Sequence, residues 1–514
     1  MVDWGPRVWR STVSLFLVFL IFPSAGIAQQ GPRTNIERLI RTNQLDTAEQ
    51  QLWGTLRAYP DDVWALDLLA TIRLKQKRDP EAQALFQRAY SLNPRDVPAL
   101  RGLGEGARSS GSTDDAIGWY TKLLAIVPGD IPARKALAMS QEKAGKYQES
   151  VSAINGIPVA SRTTDLLPVL ASDYLSLHQE EKVGPLIGKV VQRQASLGVS
   201  LDFVTVLIRN GYLKDADNIL QVMRPVHPSA DYLHVLARVR EAENRFPEAS
   251  SLLQQSLELE PKSFDLLFDS ARFEAQHERW DRAVDLLNRA NVVRPDQHDV
   301  LMKLTLALLK SRLREKAVAV AKRLNTVAPD DPDAQYILAF ALVENEQWEM
   351  AEPIALKAEK SRPADANTQL VKGIIELSMG NLDVARQSLD KSLALDPKLL
   401  DAHYYSAVVS ERTGNFDAAR QELEGVLKNS PNHAGAHAEL GVLDLRTGNV
   451  EAARSSLETS IHLQPEVAQS HYQLGLVYTR LGLQDKAQAE MDQFKKLRDA
   501  EDALRRHEAG LRTP

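Results

Sequence analysis

The chain has no cysteine in its 514 residues. That absence excludes disulfide staples, thiol catalysis, cysteine-ligated zinc and a lipid carried on a cysteine after a leader. It agrees with export, because a chain without thiols cannot form wrong disulfides. No Asn-x-Ser/Thr sequon occurs either, which favours a bacterial envelope over a eukaryotic secretory route. There is no cationic excess: 62 Lys and Arg stand against 68 Asp and Glu, a net charge of −6, whereas a nucleic-acid binder usually shows a clear basic surplus. The C-terminus lacks the apolar–polar alternation of a membrane β-barrel.

What the chain does have is rhythm. Eleven prolines keep step, Pro60, Pro94 and Pro128 first, then Pro228, Pro261, Pro295, Pro329, Pro363, Pro397, Pro431 and Pro465 at intervals of 33 or 34. Twelve residues before each lies an alanine, from Ala48, Ala82 and Ala116 through Ala216 to Ala419 and Ala453, with Ala487 continuing the series. A second small slot, 24 residues before the proline, holds Ala70, Gly104, Ala237, Ala271, Ala339, Gly373, Ala407 and Gly441, with Val204 and Thr305 as larger departures. Glycine occupies the turn slot at Gly111, Gly145, Gly211, Gly380, Gly414, Gly448 and Gly482, where the left-handed conformation can end a helix at low steric cost. The proline then closes a second helix, which it cannot continue. Apolar residues between these marks recur at helical spacing, as in Leu440, Leu443, Leu457 and Ile461. A fixed period near 34 means stacked copies of one helix-turn-helix unit.

This combination of two small slots, a turn glycine and a closing proline resembles the tetratricopeptide repeat family, over nearly all of the chain after about residue 30. The resemblance implies an all-α, right-handed solenoid of about 14 units. A solenoid grows without enlarging a single core, so the length reads as one elongated domain. It also implies a protein-binding scaffold, because the family shares a framework rather than a reaction.

The first residues stand outside the repeat. Arg7 and Arg10 precede the apolar run from Val13 to Phe22, and Ala25-Gly26-Ile27-Ala28 follows, the order of a secretory signal peptide cleaved after Ala28. An uncleaved inner-membrane anchor is the alternative, but the run is short of the roughly 20 residues that span a bilayer, and a membrane partner enters only with that alternative. The expected organisation is a signal segment over 1–28, a repeat block over 29–155, degenerate repeats and a hinge candidate over 156–200, a regular block over 201–484, and a capping helix and tail over 485–514. In the degenerate stretch Pro158, Pro168 and Pro185 fall off schedule.

Repeats account for nearly every residue, which leaves no room for a catalytic domain; the expectation is no enzyme, no cofactor and no metal. His403, His437 and His471 are 34 apart and look like a ligand array. Equivalent positions in stacked helices are about 8–10 Å apart, too far for one metal with bonds near 2.1 Å, so packing is the reading. His433 and His437 form an i, i+4 pair with no carboxylate between them. Gly102, Gly104 and Gly106 follow no strand and are not a phosphate loop.

By family resemblance, Arg412, Arg446 and Arg480 lie near the ends of first helices that line the concave groove, and Tyr336, Tyr404 and Tyr472 share another groove phase. These six are the candidate partner-binding residues, since arginine and tyrosine most often anchor interfaces, and guanidinium forks suit an acidic or C-terminal peptide. The plain alternative is a solvated face. The lysine–asparagine clamp of chaperone-binding relatives is absent, the corresponding slots holding Asp67 and Thr71, then Met302 and Leu306. The expected function is an exported scaffold holding partner peptides or helices, as in envelope or exopolysaccharide assembly; the alternative is a regulatory or substrate-binding arm of a system such as a glycosyltransferase.

Overall fold

A computed structural model describes residues 30–192 and 195–510. The expected signal segment, 1–28, lies outside them. The described residues form 28 α-helices and three short 3₁₀ turns, with no strand among them. Taken in order, the helices make fourteen hairpins, and two compact units meet between Pro225 and Val226.

Each hairpin starts and stops for local reasons. Asp62, Asp96, Asp130 and Asp365 stand just before first helices, and their carboxylates accept hydrogen bonds from the backbone N–H of Ala65, Ala99, Ala133 and Thr368. Those donors have no partner inside the helix, so each cap is worth about 1 kcal/mol.

Between the two helices of every hairpin one residue takes a positive φ. Seven of these are the glycines of the turn slot, and the other seven are Asn43, Lys77, His178, Asn244, Glu278, Arg312 and Glu346, at φ between 54° and 61°. The bonds that close the turn explain how non-glycine residues are held there. Lys77 N–H donates to the carbonyl of Leu74 and Arg78 N–H to that of Arg73, and Glu346 and Gln347 repeat the pattern with Val343 and Leu342. Backbone supplies both bonds, so the motif tolerates any side chain at a cost of about 1–2 kcal/mol for the left-handed conformation.

The small slots are where helices touch. All eleven alanines at the first slot have zero exposure. At the second, a β-carbon added to Gly104 would lie 2.9 Å from the Tyr120 ring, one on Gly373 2.8 Å from Leu389, and one on Gly441 2.6 Å from Leu457. Thr305 is accepted because its hydroxyl donates to the Leu301 carbonyl at 2.8 Å, so no buried polar atom is stranded.

Most second helices end two residues before the scheduled proline, as Leu382–Leu395 does before Pro397. The helix Leu213–Met223 is the exception. It stops five residues before Pro228 because Pro225 disfavours a helical Arg224, so Pro225 and not Pro228 closes that hairpin. In 156–200 the chain remains helical in shortened pieces, Leu167–Ser176 and Val183–Val191, flanked by 3₁₀ turns. The last helix, Gln484–Gly510, is the longest at 27 residues.

Candidate functional site

In the second unit the first helices of successive hairpins touch one another through His298–Lys310, Pro332–Glu344, Ala366–Met379, Leu400–Arg412, Ala434–Thr447 and Ala468–Arg480. They form the inner layer, and the candidate residues sit on it. Tyr336 lies parallel to Phe340, ring centroids 6.2 Å apart. Two hairpins on, Tyr404 meets Tyr405 edge to face at 4.9 Å and His433 at 5.2 Å. All four aromatic rings are half-buried, packed on the core of Leu338, Leu342, Val371 and Ile375.

Carboxylates surround this strip. Burial, then Asp365 and Asp401, push the Tyr336 phenol up to about 12. Burial, then Glu344, Asp401 and Glu439, do the same to Tyr405, and Tyr404 is raised well above its ordinary value by burial and Glu439. Glu439 is itself pushed up to about 7 by burial and Glu411, with Arg412 and Arg446 opposing.

The arginines are engaged within the solenoid. Arg412 donates to the carbonyl of Leu377 at 3.2 Å, and Arg480 to that of Leu445 at 2.8 Å, each 35 residues back. Both carbonyls are in the last turn of the preceding first helix, where carbonyls lack helical partners and the helix dipole favours a cation. Arg446 pairs instead with Glu411 at 2.5 Å. The ladder therefore ties repeat to repeat. Tyr472 keeps the phase of Tyr404 but packs 5.3 Å from Phe494 of the terminal helix Gln484–Gly510, the second helix of its own hairpin. Tyr336 and Tyr404 are thus brought onto one strip, Arg412 and Arg446 flank Glu439, and Tyr472 and Arg480 lie at the capped end.

Phe340, Tyr405, Glu344 and Glu439 belong to this site without having been singled out in the sequence. Phe340 is one helical turn from Tyr336, and Tyr405 adjoins Tyr404, so the aromatic pairs were within reach of a periodicity count. The two glutamates share no phase.

The histidine series has a defined task. Nε2 of His403, His437 and His471 each lies 2.9 Å from the carbonyl of the proline six residues earlier, Pro397, Pro431 and Pro465. Gln335 does the same for Pro329. His433 is a helix cap, its Nδ1 accepting from Ala436 N–H at 3.0 Å.

In the first unit the slot corresponding to Tyr336 holds charge. Arg33 pairs with Asp62, and Arg101 with Asp130, 29 residues ahead in each case. Between them, Asp67 meets Asp96, and burial with that like charge pushes Asp67 up to about 9.

Models of the tetratricopeptide repeat match residues 68–131, 241–307, 370–434, 412–474 and 468–500. The chain belongs to the tetratricopeptide repeat family. As a tetratricopeptide repeat protein it is a scaffold suited to binding proteins or peptides. A curated relative, the peroxisomal targeting signal receptor of Kluyveromyces lactis, is 28% identical over 191 residues, 37% of this chain and 29% of the receptor. The chain therefore spans under a third of that relative's length. Among solved structures, the Cut9–Hcn1 hetero-tetramer of APC/C is similar over 92% of this chain and 95% of that one, at 15% identity and a TM-score of 0.46. A tetratricopeptide repeat protein from Parabacteroides merdae matches 48% of this chain and 98% of its own, at 16% identity and a TM-score of 0.44. YrrB, described as having an unusual peptide-binding site, matches 36% and 95% at 18% identity and a TM-score of 0.28.

Proposed function

We propose that this tetratricopeptide repeat protein is an exported, non-catalytic scaffold of the cell envelope, and that the inner layer of its second unit holds a segment of a partner during assembly of envelope or exopolysaccharide machinery. The observation that carries the binding part is the strip of Tyr336, Phe340, Tyr404 and Tyr405. Four large rings are half-buried there, close enough to the core to be rigid and open enough to meet a ligand. Rigid aromatic side chains lose little entropy on binding, and as central anchors each contributes about 2 kcal/mol or more. Export is supported by the order of Arg7, Arg10, the apolar run from Val13 and the small residues up to Ala28, together with the lack of cysteine. The non-catalytic reading is supported by the fourteen hairpins, which use nearly the whole described chain.

The test is affinity capture from envelope extracts with wild-type protein and with Tyr336→Ala/Tyr404→Ala, both first shown to melt alike. Loss of a partner from the double variant is the expected result. Equal recovery of every partner by both would overturn the assignment of the site. N-terminal sequencing of the mature protein tests export, with Gln29 expected as the first residue.

A further inference from the structure

The charges on the inner layer of the second unit are unbalanced in a way that helix stability does not explain. Five carboxylates, Glu344, Asp365, Asp401, Glu411 and Glu439, act on the tyrosines and on one another, against the guanidinium groups of Arg412 and Arg446. Asp365 is used as a helix cap on Thr368, and Glu411 is neutralised by Arg446. Arg412 is turned to the Leu377 carbonyl. Neither Glu344 nor Asp401 makes an ion pair with a lysine or arginine among the described residues; the basic neighbour of Asp401 is His433, its Nε2 4.0 Å away, and the Asp401 side chain is 65% exposed.

Asp401 sits in the first turn of its helix, where the dipole favours an anion. Glu344 is the last residue of Pro332–Glu344, where the dipole opposes one, and Glu439 is half-buried in the middle of Ala434–Thr447. Glu344, set against the dipole of its helix, and Glu439, half-buried in mid-helix, stand with Asp401 beside an open aromatic strip, an arrangement better explained by a ligand than by the fold.

We infer that this wall takes a cationic amphipathic segment of a partner protein, which lays an apolar face on Tyr336, Phe340 and Tyr405 and sets lysine or arginine side chains among Glu344, Asp401 and Glu439. The inference rests on the binding site proposed above and names the chemistry of its ligand. Guanidinium or ammonium groups gain there both from charge and from the faces of the rings. An acidic peptide, the ligand suited to a ladder of open arginines, meets carboxylates instead.

The test uses the full chain and three short labelled amphipathic peptides of leucine with lysine, with glutamine or with glutamate, followed by fluorescence anisotropy at low and high salt. The lysine peptide is expected to bind at least about tenfold more tightly than the glutamate peptide, a difference of ~1.4 kcal/mol. Its affinity should fall by a similar factor in Glu344→Gln/Asp401→Asn, two substitutions outside the packed core, and should weaken with salt. Wild-type affinity in that double variant overturns the inference, since the peptide is then held by the net negative charge of the whole chain. Equal affinity for all three peptides, or no binding of any, also overturns it. The binding site itself is judged separately: if Tyr336→Ala weakens the glutamine peptide while peptide charge has no effect, the site stands and only its cationic ligand falls. If Tyr336→Ala changes nothing for any peptide that binds, both fall.

Discussion

Asp67 offers the sharpest test of the electrostatics between repeats. Its side chain lies in the helix Val63–Lys75 at 7% exposure, with Oδ1 lacking a hydrogen-bond partner. The rungs on either side, Arg33 with Asp62 and Arg101 with Asp130, join cation to carboxylate, whereas here Asp96 answers an acid with an acid. Burial first and Asp96 second push Asp67 from 3.8 to about 9. The folded state therefore holds this proton more tightly than the unfolded chain. The associated stability is complete below about pH 4, declines as pH rises, and is gone above about pH 9. At ~1.4 kcal/mol per pH unit, the three units from pH 4 to pH 7 correspond to at most about 4 kcal/mol, and relaxation around the site brings this to roughly 2–4 kcal/mol. Asp67→Asn should recover that amount at pH 7, more at pH 9 and almost nothing at pH 4; Asp67→Arg should rebuild the rung with Asp96. Urea unfolding from pH 4 to pH 9, followed by circular dichroism and by the fluorescence that Trp53, Trp64 and Trp119 contribute in this unit, measures the difference. Parallel stability curves for wild type and Asp67→Asn across that range would refute the reasoning.

Three further outcomes are expected. Lys77→Gly and Glu278→Gly should each raise stability by about 0.5–1 kcal/mol in chemical denaturation, because glycine takes φ near 60° without the penalty of a β-carbon. Ala419→Trp should lower it by about 1–3 kcal/mol or more, since the zero-exposure slot has no space for an indole, and an unchanged melting temperature would contradict the contact. Binding of the lysine peptide should tighten as pH rises from 6 to 8.5 through the value near 7 to which burial and Glu411 bring Glu439, the ionised form being the one that attracts a cation; Tyr404, Arg412 and Arg446 also face this group, and Glu439→Gln should flatten the profile.

The repeat was legible because its marks are steric. Ala419 or Gly441 cannot be enlarged without moving a neighbouring helix, so the small residue is written into the sequence. Turns at Lys77 and Glu278 were not legible, since backbone bonds close them whatever the side chain is. The end of the first unit was obscured for a related reason: Pro225 supplies a stop out of phase with the scheduled Pro228. At the site, the residue types of Arg412, Arg446 and Arg480 were evident, but their targets were not. Two of the three targets are backbone carbonyls one repeat away, and carbonyls leave no trace in a sequence. The carboxylates around Tyr405 were hidden because Glu344, Asp401 and Glu439 come from three helices at unrelated positions of the period.

The fourteen left-handed joints carry a consequence for ancestry. Each is fastened by amides and carbonyls belonging to its own pair of helices, so a pair copied or deleted as a whole brings or removes its hinge pin with it. A gene encoding such a chain can lengthen or shorten by one period without inventing a new corner, and selection is left to adjust only the seams on either side.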